Sequence, residues 1–551
     1  MAVTHATGAV PAASPPRAGV SPISSGKDGF LTVAVEGYTA WERKFNPLLA
    51  PARSRWPTVA GVYEPLIVFN TMTGEYVPWL ATGYAWSAGN STLAFTLRSG
   101  VTWSDGRPFT ARDVAFTFEL LRKHPALDAH EVWKFVASVR APNEGTVEFA
   151  LQRPFVPGLA GIGHQPIVPE HIWKDVADPV SFNNEDPVAT GPFTEVRVFN
   201  DKLYELGRNP RYWQPGKPAI KGLRFPAYPD TSAAESAIIR GEVDWADRFL
   251  ADVERAFVDR DPQHHRYWSP PVLGAVMLYP NATRKPLDDV RVRKAMSMAL
   301  DRDRIVEEAM LGYTRPADAT GLSDLHARWR SPQAVAAGDW AKLDVAKASA
   351  LLDQAGYAVG KDGFRAKDGV PLRFRLNLID EWDDWARAGE LIARQLRRVG
   401  IEATLKRMSF WYFVDALQQG TFDLALGWAD SSPDIYYTYA ALMGSGSVKP
   451  VGALARENWH RHGSKAADRL LGALASTSDP AQRRRIANDL QMLFVQTAPV
   501  IPLFLNPAWG ACNTRRFIGF PGPENPYARL SPGNGPDYLL VLTELKPRPA
   551  P

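Results

Sequence analysis

A chain of 551 residues is too long for one simple hydrophobic core and implies two or three lobes. Its 45% hydrophobic content is that of an ordinary globular protein, and a net charge of +4 gives no broad basic field for nucleic acid. The single cysteine, Cys512, excludes an intramolecular disulfide and a cysteine-based zinc cluster, and reads as a small buried residue.

Residues 1–29 are small, polar and Pro-rich. They lack a basic start followed by an apolar run, so they read as a flexible tether, not an intact signal peptide. No window approaches the ~20 apolar residues of a membrane span. Leu31–Val35 reads as a short strand opening the first lobe. Tyr38 and Trp41 follow at its C-terminal end, the end that commonly faces the ligand in α/β sheets. Thr92–Leu97 alternates, with Leu93, Phe95 and Leu97 on one face, the period of a half-buried strand. Gly100 can turn the chain at positive φ. Thr110 is a good N-cap for the helix carrying Val114, Phe118 and Leu121, and Asp113 makes an acidic variant of the capping box. Thr146–Leu151 is another alternating strand. His171 reads as a structural hydrogen-bonding residue, not a metal ligand.

Five strings stand in a telling order: Tyr63-Glu64-Pro65-Leu66, Trp103-Ser104-Asp105-Gly106-Arg107-Pro108-Phe109, Thr190-Gly191-Pro192-Phe193, Arg208-Asn209-Pro210-Arg211-Tyr212-Trp213 and Ala299-Leu300-Asp301-Arg302. Together they resemble the family 5 extracellular solute-binding proteins of bacterial ABC importers, over roughly residues 30 to 548. The resemblance implies an α/β, periplasmic-binding-protein-like fold of two lobes (type II, with an extra inserted subdomain). It implies two crossing strands as a hinge, small-ligand capture without catalysis, no cofactor, and delivery to the permease of an ABC transporter. It also implies a monomer in the periplasm or outside the cell. A removed leader is assumed, and the lack of a lipid-attachment cysteine near residue 1 fits truncation or a free periplasmic protein. On this reading residues 30–65, 190–273 and 506–551 form the first lobe, 66–189 its inserted subdomain, and 274–505 the second lobe.

The chain after residue 230 is expected to follow that plan. Ala233–Ile239 is a helix ending at Gly241, and Gly241–Asp244 starts a strand. Residues 274–281 and 499–504 are the crossings. Between them lie a helix at Lys342–Ala355, a strand at Leu372–Leu378, a helix at Trp385–Val399 and a strand at Ile401–Leu405, the order of a largely parallel sheet. The histidines at 264–265 and 460 and 462 lack metal-enzyme spacing and read as solvated polar residues. There is no GxSxG elbow, HExxH pair or P-loop.

Ligand contacts are expected on loops at strand ends of both lobes: Tyr38, Trp41 and Trp268 in the first, and Trp382, Asp383, Trp411, Trp428, Asp430 and Tyr436 in the second. Trp509 follows the second crossing. With 18 tryptophans the chain has flat faces to spare for sugar rings or peptide side chains. In peptide-binding members an aspartate after a Gly-Trp segment pairs with the ligand ammonium. Here Asp430 comes one residue closer to Trp428. The string Pro433–Met443 and the last quarter of the chain resemble the oligosaccharide-binding branch instead. The expected ligand is therefore an oligosaccharide, glucoside-like in kind, with an oligopeptide or dipeptide as the alternative.

Overall fold

The computed structural model describes residues 28–35, 40–49, 55–533, 535 and 537–549. The tether expected over residues 1–29 lies almost wholly outside these, and Tyr38 does too.

Two open sheets divide the molecule. The first has seven strands in the spatial order 265–267, 511–513, 245–246, 30–34, 222–226, 203–208 and 193–199. Its centre, Phe30–Ala34, is buried at every position and runs parallel to both neighbours. A strand without a solvated face carries an unbroken apolar run, which is what the segment Phe-Leu-Thr-Val-Ala approaches. The second sheet has five strands in the order 402–408, 373–379, 424–428, 273–280 and 501–506. Arg373–Ile379 is parallel to both Glu402–Met408 and Leu424–Trp428, and helix Asp383–Arg397 makes the connection between the first two. Leu273–Pro280 and Ile501–Asn506 lie side by side, antiparallel, with Leu273 opposite Asn506. The chain enters and leaves the second sheet through this pair.

Two buried arginines anchor the return segment. Arg302 Nε donates to the Pro502 carbonyl at 2.8 Å and Nη1 to the Ala341 carbonyl at 2.7 Å. Arg293 donates to the carbonyls of Thr497 and Ala498, both at 2.7 Å. A guanidinium offers five donors in a rigid fork, so one side chain can satisfy several buried carbonyls.

The inserted region holds a four-stranded antiparallel sheet in the order 81–86, 92–97, 146–151 and 136–143, with helix Ala111–Lys123 against it. Thr110 and Asp113 form the expected reciprocal cap. His171 Nε2 lies 2.8 Å from Asp105 Oδ2, so the histidine ties a helix start to the Trp-Ser-Asp-Gly turn.

Glu64 explains why two of the strings, 63–66 and 208–213, belong together. Its buried carboxylate accepts from Trp79 Nε1 at 2.7 Å, the Tyr212 hydroxyl at 2.9 Å and Trp213 Nε1 at 3.1 Å. Burial pushes its pKa up to about 7, against the pull of these donors.

Some expectations need correction. The helix expected from Lys342 runs Val345–Gln354, capped by Asp344, because residues 339–341 form a separate tight turn. The strand expected from Gly241 is only Trp245–Ala246. Gly241 turns at φ +74°, and Asp244 is held by Arg516 and the Thr32 N–H. Two of the four histidines are not solvated, while His264 and His462 are half-buried. His265 and His460 are buried, each bonded to one backbone carbonyl, of Phe257 (2.8 Å) and Leu442 (2.9 Å). Cys512 is buried as expected.

Candidate functional site

A cavity of about 560 Å3 opens where the crossing strands pass between the sheets. That is within the ~300–1,000 Å3 range of small-ligand sites. Leu273, Gly274, Asn506, Pro507 and Trp509 form its floor. One wall belongs to the first lobe. Thr231 and Glu235 stand on helix Thr231–Ile239, and Asp247, Arg248 and Phe249 follow strand Trp245–Ala246. The other wall belongs to the second lobe. Residues 381–385 follow strand Arg373–Ile379, Phe410 starts the helix after Glu402–Met408, and Trp428, Ala429 and Ser431 end or follow Leu424–Trp428. The second-lobe elements present their C-terminal strand ends, the usual ligand edge of an open α/β sheet.

The second-lobe wall is an aromatic box. Trp382 stands edge-on to Trp385 at 4.8 Å, and lies 6.0 Å from both Phe410 and Trp428. Phe410 and Trp428 are parallel within 5° at 6.4 Å. Across the cavity Phe249 packs edge-on to Trp509 at 5.1 Å.

The charged lining is strongly one-sided: five carboxylates (Glu235, Asp247, Glu381, Asp383 and Asp384) and one guanidinium, Arg248. Among the described residues, the side chains of Glu235, Glu381 and Asp383 make no hydrogen bond or ion pair, so their oxygens are free to accept. Burial raises the pKa of Glu235; Arg248 opposes the rise, and Asp383 across the cleft adds to it. Asp384 is buried, which raises its pKa, and its Oδ1 accepts from the Trp385 N–H at 2.9 Å. Gly274 is required by close approach, since a Cβ there would sit 2.1 Å from the Ala429 carbonyl oxygen.

Four of the expected residues meet at this cavity: Trp382, Asp383, Trp428 and Trp509. Trp41 is buried in the first-lobe core, edge-on to Tyr204 at 5.0 Å. Trp268 packs against the same core, and its backbone N–H donates to the Gly510 carbonyl. Asp430 turns back on its own loop and accepts from the Ser432 N–H (2.9 Å) and hydroxyl (3.0 Å). Trp411 is exposed beside Phe410. Tyr436 packs edge-on to Phe155 at 5.3 Å. Sequence reasoning missed Glu235 and residues 247–249. Their signal was positional: 247–249 directly follow the strand expected near Asp244.

Tyr436 belongs to a second meeting place of the lobes, between the inserted region and the far side of the second lobe. The Val156 N–H donates to the Ala475 carbonyl at 2.7 Å, and the Tyr437 hydroxyl to the Pro157 carbonyl at 3.2 Å. Asn90 Nδ2 donates to the Ser476 carbonyl at 3.1 Å, and the Ser478 hydroxyl to Asn90 Oδ1 at 2.8 Å. These contacts latch the inserted region to the second lobe through residues that take no part in lining the cavity. A separate open depression of about 870 Å3 lies by Trp79, Arg98, Trp213 and Lys217 and shares no residue with the cleft. Among the described residues no cluster of three or more His, Cys, Asp or Glu is placed to hold a metal, and no helix is long and apolar enough to cross a membrane.

Comparison with known proteins agrees with this architecture. The sequence model for bacterial extracellular solute-binding proteins, family 5 middle, matches residues 75–449. A nickel-binding periplasmic protein of Escherichia coli is 26% identical over 458 residues, 80% of this chain and 83% of that protein. The periplasmic oligopeptide-binding protein of an oligopeptide ABC transporter from Thermotoga maritima superposes with a TM-score of 0.86 at 25% identity, covering 95% of this chain and all of that one. A mannohexaose-bound structure of that oligopeptide-binding protein gives 0.81 at 26% identity, covering 95% and 99%. With two lobes around a hinged cleft and a family match over most of its length, the chain belongs to the family 5 bacterial extracellular solute-binding proteins, and is the substrate-binding protein of an ABC importer.

Proposed function

We propose that the cleft captures a neutral oligosaccharide and hands it to the membrane permease. One observation carries the reading: the cavity pairs an aromatic box with carboxylates that lack partners. Flat rings take the apolar faces of pyranoses, and free carboxylates accept from their hydroxyls. The excess of acids over the single Arg248 disfavours an anionic ligand. The mannohexaose in the Thermotoga maritima protein supports a sugar of this kind. Asp430 bears on the peptide alternative, because its carboxylate already serves Ser432. The oligopeptide-binding names of relatives keep a peptide as the second reading.

The protein acts by binding alone, as a monomer in the periplasm or at the outer face of the membrane. Residues 30–65, 190–273 and 506–551 act as one lobe, with 66–189 inserted in it, and 274–505 as the other. Ligand favours closure to the extent that it binds the closed form more tightly. A thermal-shift and calorimetric screen of oligosaccharides against di- to pentapeptides tests the ligand class. Stabilisation by sugars is expected, and stabilisation by peptides alone would reverse the assignment. Trp382→Ala is expected to weaken binding by about 1–3 kcal/mol while the lobes stay folded. Unchanged affinity would place the site elsewhere.

A further inference from the structure

We propose that Trp411 is an outer sugar platform at the mouth of the cleft, so that the ligand is an oligosaccharide longer than the cavity encloses. The inference rests on the reading of the cleft as an oligosaccharide site. Its starting point is an aromatic surface that does not end at the cavity wall. Trp428 and Phe410 lie parallel inside the cleft, and Trp411 follows Phe410 in sequence, edge-on to it at 5.1 Å and 82°. Aromatic surface therefore runs unbroken from the interior to solvent.

Trp411 is also singular. It is 71% exposed, whereas every other described tryptophan is buried or partly buried. Its indole makes no hydrogen bond with any described residue. A tryptophan that serves packing gains by being covered, and this one is left open next to a wall that binds ligand. The cavity of about 560 Å3 has room for a few pyranose rings and not for a long chain. A longer oligosaccharide would leave by the mouth, and its next ring would meet Trp411.

The neighbouring residue supplies a control. Tyr412 is 73% exposed on the same helix, Phe410–Gln419, but points about 200° away from Phe410 around the axis. It matches Trp411 in exposure and not in direction.

The experiment is calorimetric titration of the full chain with manno-, cello- and laminari-oligosaccharides from disaccharide to hexasaccharide. Wild type, Trp411→Ala and Tyr412→Ala are compared. For a series that binds, wild-type affinity is expected to rise beyond the length that fills the cavity. Trp411→Ala should lose that increment, roughly threefold to tenfold on the longest members, and leave the shortest unchanged. Tyr412→Ala should match wild type at every length. Tight sugar binding that Trp411→Ala weakens equally at all lengths, or not at all, would overturn the platform and leave the sugar assignment standing. Binding of peptides and of no sugar would overturn both readings together.

Discussion

The latch between the inserted region and the second lobe makes closure measurable. Asn90→Ala with Tyr437→Phe removes the Asn90 bonds to Ser476 and Ser478 and the Tyr437 bond to Pro157, while the Val156–Ala475 backbone bond remains. A net intramolecular hydrogen bond contributes about 0.5–1.5 kcal/mol, and the Asn90 pair is exposed and belongs at the bottom of that range. The double variant should therefore lose about 1–2 kcal/mol of closed-state preference, a factor of roughly five to thirty in the closed-to-open ratio. Small-angle scattering of the unliganded protein is the assay. The variant should show a larger radius of gyration than wild type and return to the wild-type value at saturating ligand. Apparent affinity should fall by no more than the same factor, since it scales with the competent fraction. Equal radii with and without the substitutions, together with equal affinity, would refute the idea that these contacts bias the hinge. The exposed Arg456–Glu131 pair at 3.4 Å is expected to add little, and Arg456→Ala alone should leave the radius unchanged.

Arg302→Met should lower unfolding stability by about 3–5 kcal/mol in urea titrations, because the Pro502 and Ala341 carbonyls lose a buried donor. A change below ~1 kcal/mol would mean water replaces it. Stability should also fall on acidification. His164 and His460 are held down to about 3, and His326 and His462 to about 4, all chiefly by burial, against 6.5 for a free histidine. A depressed pKa contributes stability that is present above 6.5 and lost as pH falls toward 4. Glu64 acts in the opposite sense: its contribution is present below 4.5 and lost as pH rises through about 7. Asp244, raised to about 6 by burial, acts with Glu64; the four histidines outweigh the two, so the urea midpoint should drop between pH 6.5 and 4, less steeply in His460→Gln. A flat profile would refute this. Gly274→Ala should weaken ligand binding and lower Tm, since the new methyl meets the Ala429 oxygen at 2.1 Å. An unchanged Tm and affinity would show that the 429–431 loop yields freely.

Local signals carried much of the fold. Thr110 and Asp113 announced their helix because a reciprocal cap needs only two side chains at fixed spacing. The crossing strands stood out because both are buried along nearly their whole length, which leaves an apolar run in the sequence. The site was harder to read. Trp382 could be placed because it follows an evident strand, and Trp428 because its Gly-Trp segment resembles one in peptide-binding members of the family. Trp41 sits at an equivalent strand end and yet turns into the core, where Tyr204 waits from a strand far along the chain. No local pattern distinguishes those two fates. Glu235 escaped notice because its role comes only from the opposite lobe, which brings Asp383 to face it. The buried histidines misled for the same reason: burial of a polar ring depends on a distant carbonyl, as Leu442 provides for His460.

The Glu64 cluster bears on how this protein can be re-engineered. One acid gathers a tryptophan at the head of the inserted region and a Tyr-Trp pair well beyond its end. A module exchange that cut the chain between these points would import one donor and strand the acid beside foreign neighbours. Chimeras that exchange residues 66–189 alone should therefore express poorly unless position 64 and residues 212–213 travel with them.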